Sequence, residues 1–369
     1  MLQRLYIHNF KTFQNFELKP AGKHSALLLG KNGAGKSSVA KALQVLQSIG
    51  RGVNRVGQLV THRDFFLKQT DVPMRLELEV LLAGQKFHYS LALELPAHFK
   101  ELRVLEERLT CEGYPVYARE QAQVSLRKTA DTGDARFLVD WHIVALPLIQ
   151  VQSDSDPVHL FKTWLAQMVV IAPVPPLMLG ESSEESVWPV LNASNTVDWL
   201  AGLLGQYPAA YTEIDTYLKD VMPDLRDFKF ESLGKESKRL VIQFKTDSGV
   251  FPVNFDELSD GEKCFFLCAI IVAANKAYGP IFCFWDEPDN FLSLAEVGHF
   301  VLTLRRAFEA QGQIVMTTHN GEAIRKFSNE NTWVLGRKSH LEPTQYRLLG
   351  ELDIGTDVVR SLTLGGLEL

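Results

Sequence analysis

Cysteine is scarce in this chain of 369 residues: Cys111, Cys264, Cys268 and Cys283 are the full complement, and no two form a CxxC pair. A zinc ribbon, a redox dithiol and a disulfide scaffold are therefore disfavoured, and the thiols read as small buried hydrophobes. Long apolar runs are missing too. No stretch reaches the roughly 18 residues that a bilayer span needs, and the opening MLQRLYIHNFKTF lacks the apolar core of a signal peptide. These absences predict a soluble, cytoplasmic protein with no membrane partner. Nor is there an excess of positive charge, since 38 Lys plus Arg face 44 Asp plus Glu for a formal net charge of -6. Nucleic-acid binding through bulk positive charge is excluded, while a local basic patch is not. The sequence has no internal repeat, no low-complexity tract and no sustained heptads, so no long coiled coil is expected. What remains is an ordinary globular composition, 46% hydrophobic and 22% charged, long enough for one large domain or two intimate lobes.

The chain opens with two alternating segments, LYIHNF and FQNFEL, and then a short apolar run, SALLLG. This predicts a two-stranded ribbon followed by a buried central strand. GKNGAGKSS comes next, and VAKALQVLQSIG places Val39, Leu43 and Leu46 on one helical face. Residues 51–75 show no period and read as a loop with a short turn. From 76 to about 146, LELEVLL, KFHYSLALEL, RLTCEG, YPVYARE, VSLRK and FLVDWHIVAL alternate between Gly, Pro and Asp turns, which predicts an antiparallel sheet. Inside it, FKELRVLEERL also offers helical spacing at Leu102, Leu105 and Leu109, stopped after about two turns by Gly113 and Pro115. Residues 157–168 read as a helix with proline in its first turn, and VVIA as a buried strand halted by PVPP. Helical spacing over 180–225, with Asn195 or Ser194 as caps, predicts a helical lobe. Strands return at FKFESL, LVIQF and VFPVNF. Beyond 254 a loop leads to the helix EKCFFLCAIIVAANKAY, closed by Gly279, and then to the strand PIFCFWDEP. The helix LAEVGHFVLTLRRAFEAQG, the strand QIVMTTHN and the helix GEAIRKFS follow. Apolar strands alternating with crossover helices predict a parallel sheet covered on both faces. The fold class is α/β, with lobe I at 1–172 and lobe II at 173–369 forming one composite domain.

Gly30, Gly35, Lys36 and Ser37 satisfy G-x-x-x-x-G-K-[ST], between a strand and a helix. With Gly at roughly 7% of residues, the pattern arises by chance about once in a hundred chains of this size. Glycines let the backbone curl so that successive N–H groups point at a phosphate, and the following helix adds its positive end. The candidate phosphate contacts are Gly30, Asn32, Gly33, Ala34, Gly35, Lys36, Ser37 and Ser38. Lys36 would reach the β and γ oxygens of a nucleoside triphosphate, and Ser37 would offer its hydroxyl to Mg²⁺.

IFCFWDEPD ends a buried strand in two adjacent carboxylates that point opposite ways. Asp286 fits an outer Mg²⁺ partner, and Glu287 the group that orients or deprotonates an attacking water. Upstream, in FDELSDGEK, Ser259 with Glu262 makes a capping box, and such a helix start is also an anion site. LSDGEK resembles the signature motif of ABC-type ATPases, usually LSGGQ. Leu258, Ser259 and Gly261 are kept, Asp260 replaces the first glycine, and Glu262 replaces the glutamine. In that family the signature of one subunit meets the γ-phosphate held by the other, which makes Ser259, Gly261 and Glu262 nucleotide contacts. DEPDNFLSL resembles the family's Walker B strand and D-loop, with Asp289 in the D-loop, and IVMTTHN resembles its switch strand, with His319 as the γ-phosphate contact. A neutral imidazole donates one hydrogen bond there without adding full charge.

The start LQRLYIHNFKTFQNFEL, so close to the phosphate loop, is similar to that of RecF, SMC and OLD-type ATPases, whose N-F-[KR] ribbon sits near the adenine. Lys11 and Thr12 are the matching positions. IAPVPPLM followed by SNTVDWL resembles the lobe of small standalone RecF/OLD-like ATPases common in bacterial defence and repair loci. The resemblance covers about residues 1–50 and 250–325, with only the architecture matching between them. It implies a P-loop NTPase: an ABC-type ATPase head with an antiparallel β-subdomain in lobe I and a helical lobe II. Such a head hydrolyses ATP with Mg²⁺ as a homodimer or higher oligomer. Three departures stand out. About 220 residues without heptads separate the halves, where SMC proteins insert coiled coils. The 50 residues after His319 are too few for the TOPRIM nuclease of OLD proteins, so a nuclease is expected on a separate chain. PVPP stands where the family's Q-loop glutamine should follow the strand, and Gln167 precedes it with no assigned role. Two purposes follow from the resemblance. One is the sensor or scaffold ATPase of an antiviral defence system with a separate effector protein. The other is a RecF-like repair ATPase that binds duplex DNA through Arg51, Arg55 and Arg63 of the loop RGVNRVGQLVTHR. A transporter ATPase fits poorly with the start and the long insertion.

Overall fold

Residues 1–127, 135–151, 153–247 and 249–352 are described by a computed structural model, in which the chain divides into two units. The first comprises Met1–Lys23, Leu28–Met168 and the chain from Asn329 onward; the second comprises His24–Leu27 and Val169–Ser328. The chain thus crosses between them four times, whereas a single boundary at 172/173 is read from the sequence.

The first unit carries an eight-stranded sheet in the order Phe16–Leu18, Leu2–His8, Met74–Leu82, Gln85–Glu94, Arg103–Cys111, Tyr114–Glu120, Gln123–Leu126, Ala135–Leu138. The N-terminal ribbon forms as expected, with Leu5 opposite Leu18 and Ile7 opposite Phe16. From Met74 onward each strand pairs antiparallel with the next. Period-2 patterning sets the register: Met74, Leu76, Leu78 and Val80 are buried and the residues between them are partly exposed. The helix Pro157–Gln167, capped by Asp156 at Val158 N, brings Phe161 against Tyr89 at 5.3 Å and Phe87 at 6.1 Å.

Two local expectations give way to tertiary pairing. The helical spacing at Leu102, Leu105 and Leu109 becomes the strand Arg103–Cys111, because a neighbour on each side completes its ladder. Its alternation is masked by Glu107, which is fully buried. That carboxylate accepts hydrogen bonds from Tyr89 and Tyr117 and from the backbone N–H groups of Ala145 and Leu146. Of FLVDWHIVAL only Phe137 and Leu138 are in a strand, the end of Ala135–Leu138, and the aperiodic residues 51–75 hold single turns at Val56–Leu59, His62–Asp64 and Phe66–Lys68. Lys128, the last residue of VSLRK, lies outside the described residues.

The exposed side of this sheet predicts a pH response. A hydrogen bond from His88 lowers the Glu77 carboxyl to about 2; burial pushes it up, and the Arg4 guanidinium at 2.8 Å pulls it down. The folded value lies below the ordinary 4.5, so the stability it contributes is present above 4.5 and is lost as pH falls toward 2. Urea titrations at several acid pH values should show Glu77→Gln losing less stability over that window than the parent. Parallel curves would contradict it.

In the second unit, Val169–Ile171, Phe282–Trp285 and Gln313–Thr317 are parallel neighbours, followed by the start of Ser25–Leu29. Every residue of these strands is buried, which explains why they are apolar but for Ser25, Gln313 and Thr317 at their ends. In the first unit, the end of Ser25–Leu29 neighbours Thr332–Gly336, which pairs antiparallel with Gln345–Leu348. The helix Asp260–Tyr278 is apolar nearly all round and buried on most of its surface. The expected helical lobe holds the helices Thr196–Gln206 and Ala210–Val221, with the strands Leu225–Leu233, Ser237–Thr246 and Gly249–Asn254 following. Asn195 occupies the cap position without capping: its side chain accepts from Val190 N and donates to Trp188 O. GEAIRKFS shortens to one helical turn, Gly321–Ile324, begun by Asn320.

Burial pushes the Cys264 and Cys268 thiols up to about 12 and raises Cys283 as well, so these three behave as inert core groups. Among the described residues no cluster of three His, Cys, Asp or Glu could hold a metal, and no helix is long and apolar enough to cross a membrane.

Candidate nucleotide-binding site

The strand Ser25–Leu29 delivers the chain to a tight loop and then to the helix Lys36–Gly50. Gly30 is required by space: a Cβ there would lie 2.5 Å from Leu335 O. Gly33 and Gly35 have φ of +80° and +105°, the left-handed region that only glycine enters at little cost. Ala34 N donates to Lys31 O at 3.0 Å and Ser38 N to Gly35 O at 2.9 Å, which closes the curl. Lys36 is 6% exposed, and its Nζ donates to Gly30 O at 2.9 Å, folding the ammonium back over the loop. Asn32, Gly33 and Ser37 are exposed, and Ser38 is half-buried at the helix start. No side chain caps that helix, and its first turn holds no acidic residue. Glycine spacing, a buried ammonium and an uncapped helix start suit a triphosphate with its Mg²⁺.

Residues far along the chain hold this loop. Thr344 Oγ1 donates to Ala34 O at 2.9 Å, Thr344 N donates to Thr12 O at 2.8 Å, and Arg337 reaches Gly33 O at 3.4 Å. Thr12 sits against the loop, its Oγ1 2.6 Å from where a Cβ of Gly35 would stand. Lys11 is engaged elsewhere: its Nζ lies 2.5 Å from Asp64 Oδ1. Burial raises the Asp64 carboxyl, but the bonds from Lys11 and Thr61 outweigh it and hold the group below its ordinary value. Gly35→Ala adds strain of about 1–3 kcal/mol at that φ and a clash with Thr12. Calorimetric titration with ATP should show at least a roughly tenfold loss of affinity; unchanged affinity would count against the loop as the phosphate cradle.

The second unit assembles the acidic residues. Asp286 N donates to Ile171 O at 2.8 Å, extending the parallel ladder to the strand's end. Thr317 joins the two carboxylate positions: its Oγ1 donates to Asp286 Oδ1 at 2.5 Å and accepts from Glu287 N at 2.9 Å. Glu287 takes a φ of +51°, an unusual conformation for a residue with a side chain. It directs Oε1 to within 3.2 Å of His319 Nε2 and accepts from Asn290 Nδ2 at 2.6 Å on Oε2. Asp289 is 4% exposed and accepts from Thr318 Oγ1 at 2.8 Å, tying the D-loop position to the residue before His319. Burial raises the Asp289 carboxyl, with the Thr318 bond acting the other way.

At the signature, Ser259 caps the helix Asp260–Tyr278 in a complete capping box. Its Oγ accepts from Glu262 N at 3.3 Å, while its own N–H and O–H donate to Glu262 Oε2, each at 2.7 Å. A Cβ on Gly261 would stand 2.9 Å from Phe291 O, so the glycine lets the D-loop pack against the helix start. In the first unit the loop residues gather against Thr12 while Lys11 turns to Asp64; in the second, Asp286, Glu287, Asp289 and His319 gather at the strand ends, and the signature helix approaches them at Gly261. Sequence reasoning missed Thr317, Thr318 and Asn290 as supports, although TTH and DN stand beside the recognised acids. Thr344 and Arg337 give no local signal, being about 300 residues from the loop they hold.

Sheet order, phosphate loop and paired strand ends define an α/β P-loop head of the ABC-type ATPase class, of the SMC and RecF-like kind. Crystal structures of Smc heads share this fold. An Smc head bound to the C-winged helix domain of ScpA aligns with a TM-score of 0.56 at 13% identity, over 95% of this chain and 98% of that chain. An Smc head with an extended coiled coil, bound to the C-terminal domain of ScpA derived from Pyrococcus furiosus, gives 0.54 at 12%, over 95% and 97%. Residues 25–325 match the family described as "AAA domain, putative AbiEii toxin, Type IV TA system", and the chain belongs to that family. No curated protein matches it in sequence.

Proposed function

We propose that two copies of this chain close around ATP and part after its hydrolysis, and that the switch is the sensor or scaffold of a bacterial antiviral defence system acting with a separate effector protein. The pairing of Glu287 with His319 at 3.2 Å carries this reading, because it sets a carboxylate that can take a proton from water beside an imidazole that can donate to a phosphate oxygen. Residues 30–38 bind the phosphates, and Ser37 with Asp286 are the Mg²⁺ partners. When bound, the metal neutralises charge on the phosphate oxygens. Ser259, Gly261 and Glu262 of one copy face the nucleotide held by the other, and Ser259 is already exposed in the single chain. To donate to a phosphate, its hydroxyl exchanges the Glu262 carboxylate for the phosphate oxygen. Glu287 orients the attacking water and takes its proton, Asn290 holds that carboxylate, and His319 donates to the γ-phosphate. Asp289, through Thr318, keeps the D-loop and the switch residue in step. A higher affinity for ATP than for ADP in the closed pair sets its population. The family description, which names a toxin and a toxin–antitoxin system, favours defence over the other purposes. Sedimentation with a non-hydrolysable ATP analogue and Mg²⁺ should give a dimer where ADP gives a monomer. A monomer in both would overturn the switch.

A further inference from the structure

Outside the phosphate loop, three backbone segments of the first unit are laced into a floor. Val56 N donates to His142 O at 2.9 Å and Val144 N to Asn54 O at 2.7 Å. On the other side Val104 N donates to Trp141 O at 2.8 Å, and the His142 ring bonds Leu102 O at 2.9 Å. Over this floor opens a cleft of about 510 Å³ lined by Arg55, His62, Lys100, Glu101 and His142 among others. A neighbouring hollow shares His142 and adds Trp141.

The chemistry of this lining is uneven. Arg55 and Lys100 supply fixed positive charge and His62 and His142 supply imidazoles, against one carboxylate, Glu101. Glu101 lies 3.6 Å from Arg55, but their side chains are 61% and 62% exposed, so the pair is weak and open to exchange for another anion. Trp141 stays 37% exposed, and the Arg103 guanidinium sits 4.5 Å from its ring centroid, held in turn by Glu94 at 2.7 Å. An indole backed by a cation and fixed by backbone bonds is a stacking platform. Arg51 takes no part, because its guanidinium donates to Ala166 O and Met168 O, which leaves Arg55 and Arg63 as the exposed arginines of the basic loop.

Cations that meet phosphates beside an open indole that meets a base are what a single strand requires. A duplex buries its bases against one another and offers the indole nothing. We propose that this cleft and the hollow beside it together bind single-stranded nucleic acid, with a base on Trp141 in the hollow and the flanking phosphates on Arg55 and Lys100 in the cleft. The site is local, as a chain of net charge -6 demands.

Anisotropy of a fluorescein-labelled single strand of ten thymidines, titrated with the full chain at saturating ATP, tests this. Binding should weaken with salt, and the Arg55→Ala/Lys100→Ala double variant should bind roughly tenfold or more weakly with a shallower salt slope. Trp141→Ala should cost roughly 5- to 100-fold without changing that slope, and Trp141→Phe should restore most of it. Thermal midpoints close to the parent establish that the variants fold. No binding of the strand, an unchanged affinity in Trp141→Ala, or tighter binding of the matching duplex would each overturn the proposal.

Discussion

Replacing Lys36 with alanine should weaken ATP binding by about 100-fold or more while leaving the fold in place. The ammonium is buried and donates to Gly30 O at 2.9 Å, so it is desolvated and positioned before any ligand arrives. Without it the loop itself offers the triphosphate only backbone N–H groups, serine hydroxyls and the helix start. Truncating one partner of a buried, hydrogen-bonded charge pair costs about 2–5 kcal/mol, and about 1.4 kcal/mol is tenfold in affinity. Arginine should not rescue the site, since its planar fork does not fit a pocket built around a compact ammonium. Calorimetry with ATP and Mg²⁺ measures the effect directly. An affinity within a few-fold of the parent would place the phosphates somewhere other than this loop.

The second large effect belongs to Glu287→Gln, which should cut ATP turnover by about 10² to 10⁴ and leave ATP affinity nearly unchanged. Glutamine keeps the length of the side chain and can still accept from Asn290, so the loop at φ +51° retains its support. It loses the ability to take a proton from water, and the carboxylate partner of His319 at 3.2 Å disappears. Blocked hydrolysis should also lengthen the life of the ATP-bound pair, so the variant sediments as a dimer on ATP alone. His319→Ala should lower turnover less, because it removes a hydrogen-bond donor and spares the base. Full turnover in Glu287→Gln would move the base to another residue and undo the assignment of this strand end.

The parts of this protein that announce themselves in the sequence are those built from neighbours in the chain. Strand, loop and helix around Lys36 lie within residues 25–50, and the glycines there are fixed by φ and by space. The buried strand before Asp286 and the capping box of Ser259 and Glu262 are equally local. Supports from elsewhere in the chain are silent. Thr344 reads as a loop threonine until the fold sets it against Ala34, and Arg337 until it meets Gly33. Arg103–Cys111 misleads locally because buried Glu107 interrupts the apolar face, and only its four hydrogen bonds account for a carboxylate there. Lys11 matches a ribbon position in sequence, yet Asp64, more than fifty residues on, takes its ammonium.

The central claim is that each nucleotide is shared between two copies, one giving the phosphate loop and the other its signature helix. Mixing two inactive variants tests it most directly: Lys36→Ala, without a working loop, and Ser259→Arg, whose long cation blocks the signature. Each alone should be nearly without ATPase activity, and the mixture should recover a substantial part of it, because the mixed pair contains one intact composite site. A mixture as inactive as its parents, or a Ser259→Arg protein with full activity alone, would contradict sharing and leave each copy to act by itself.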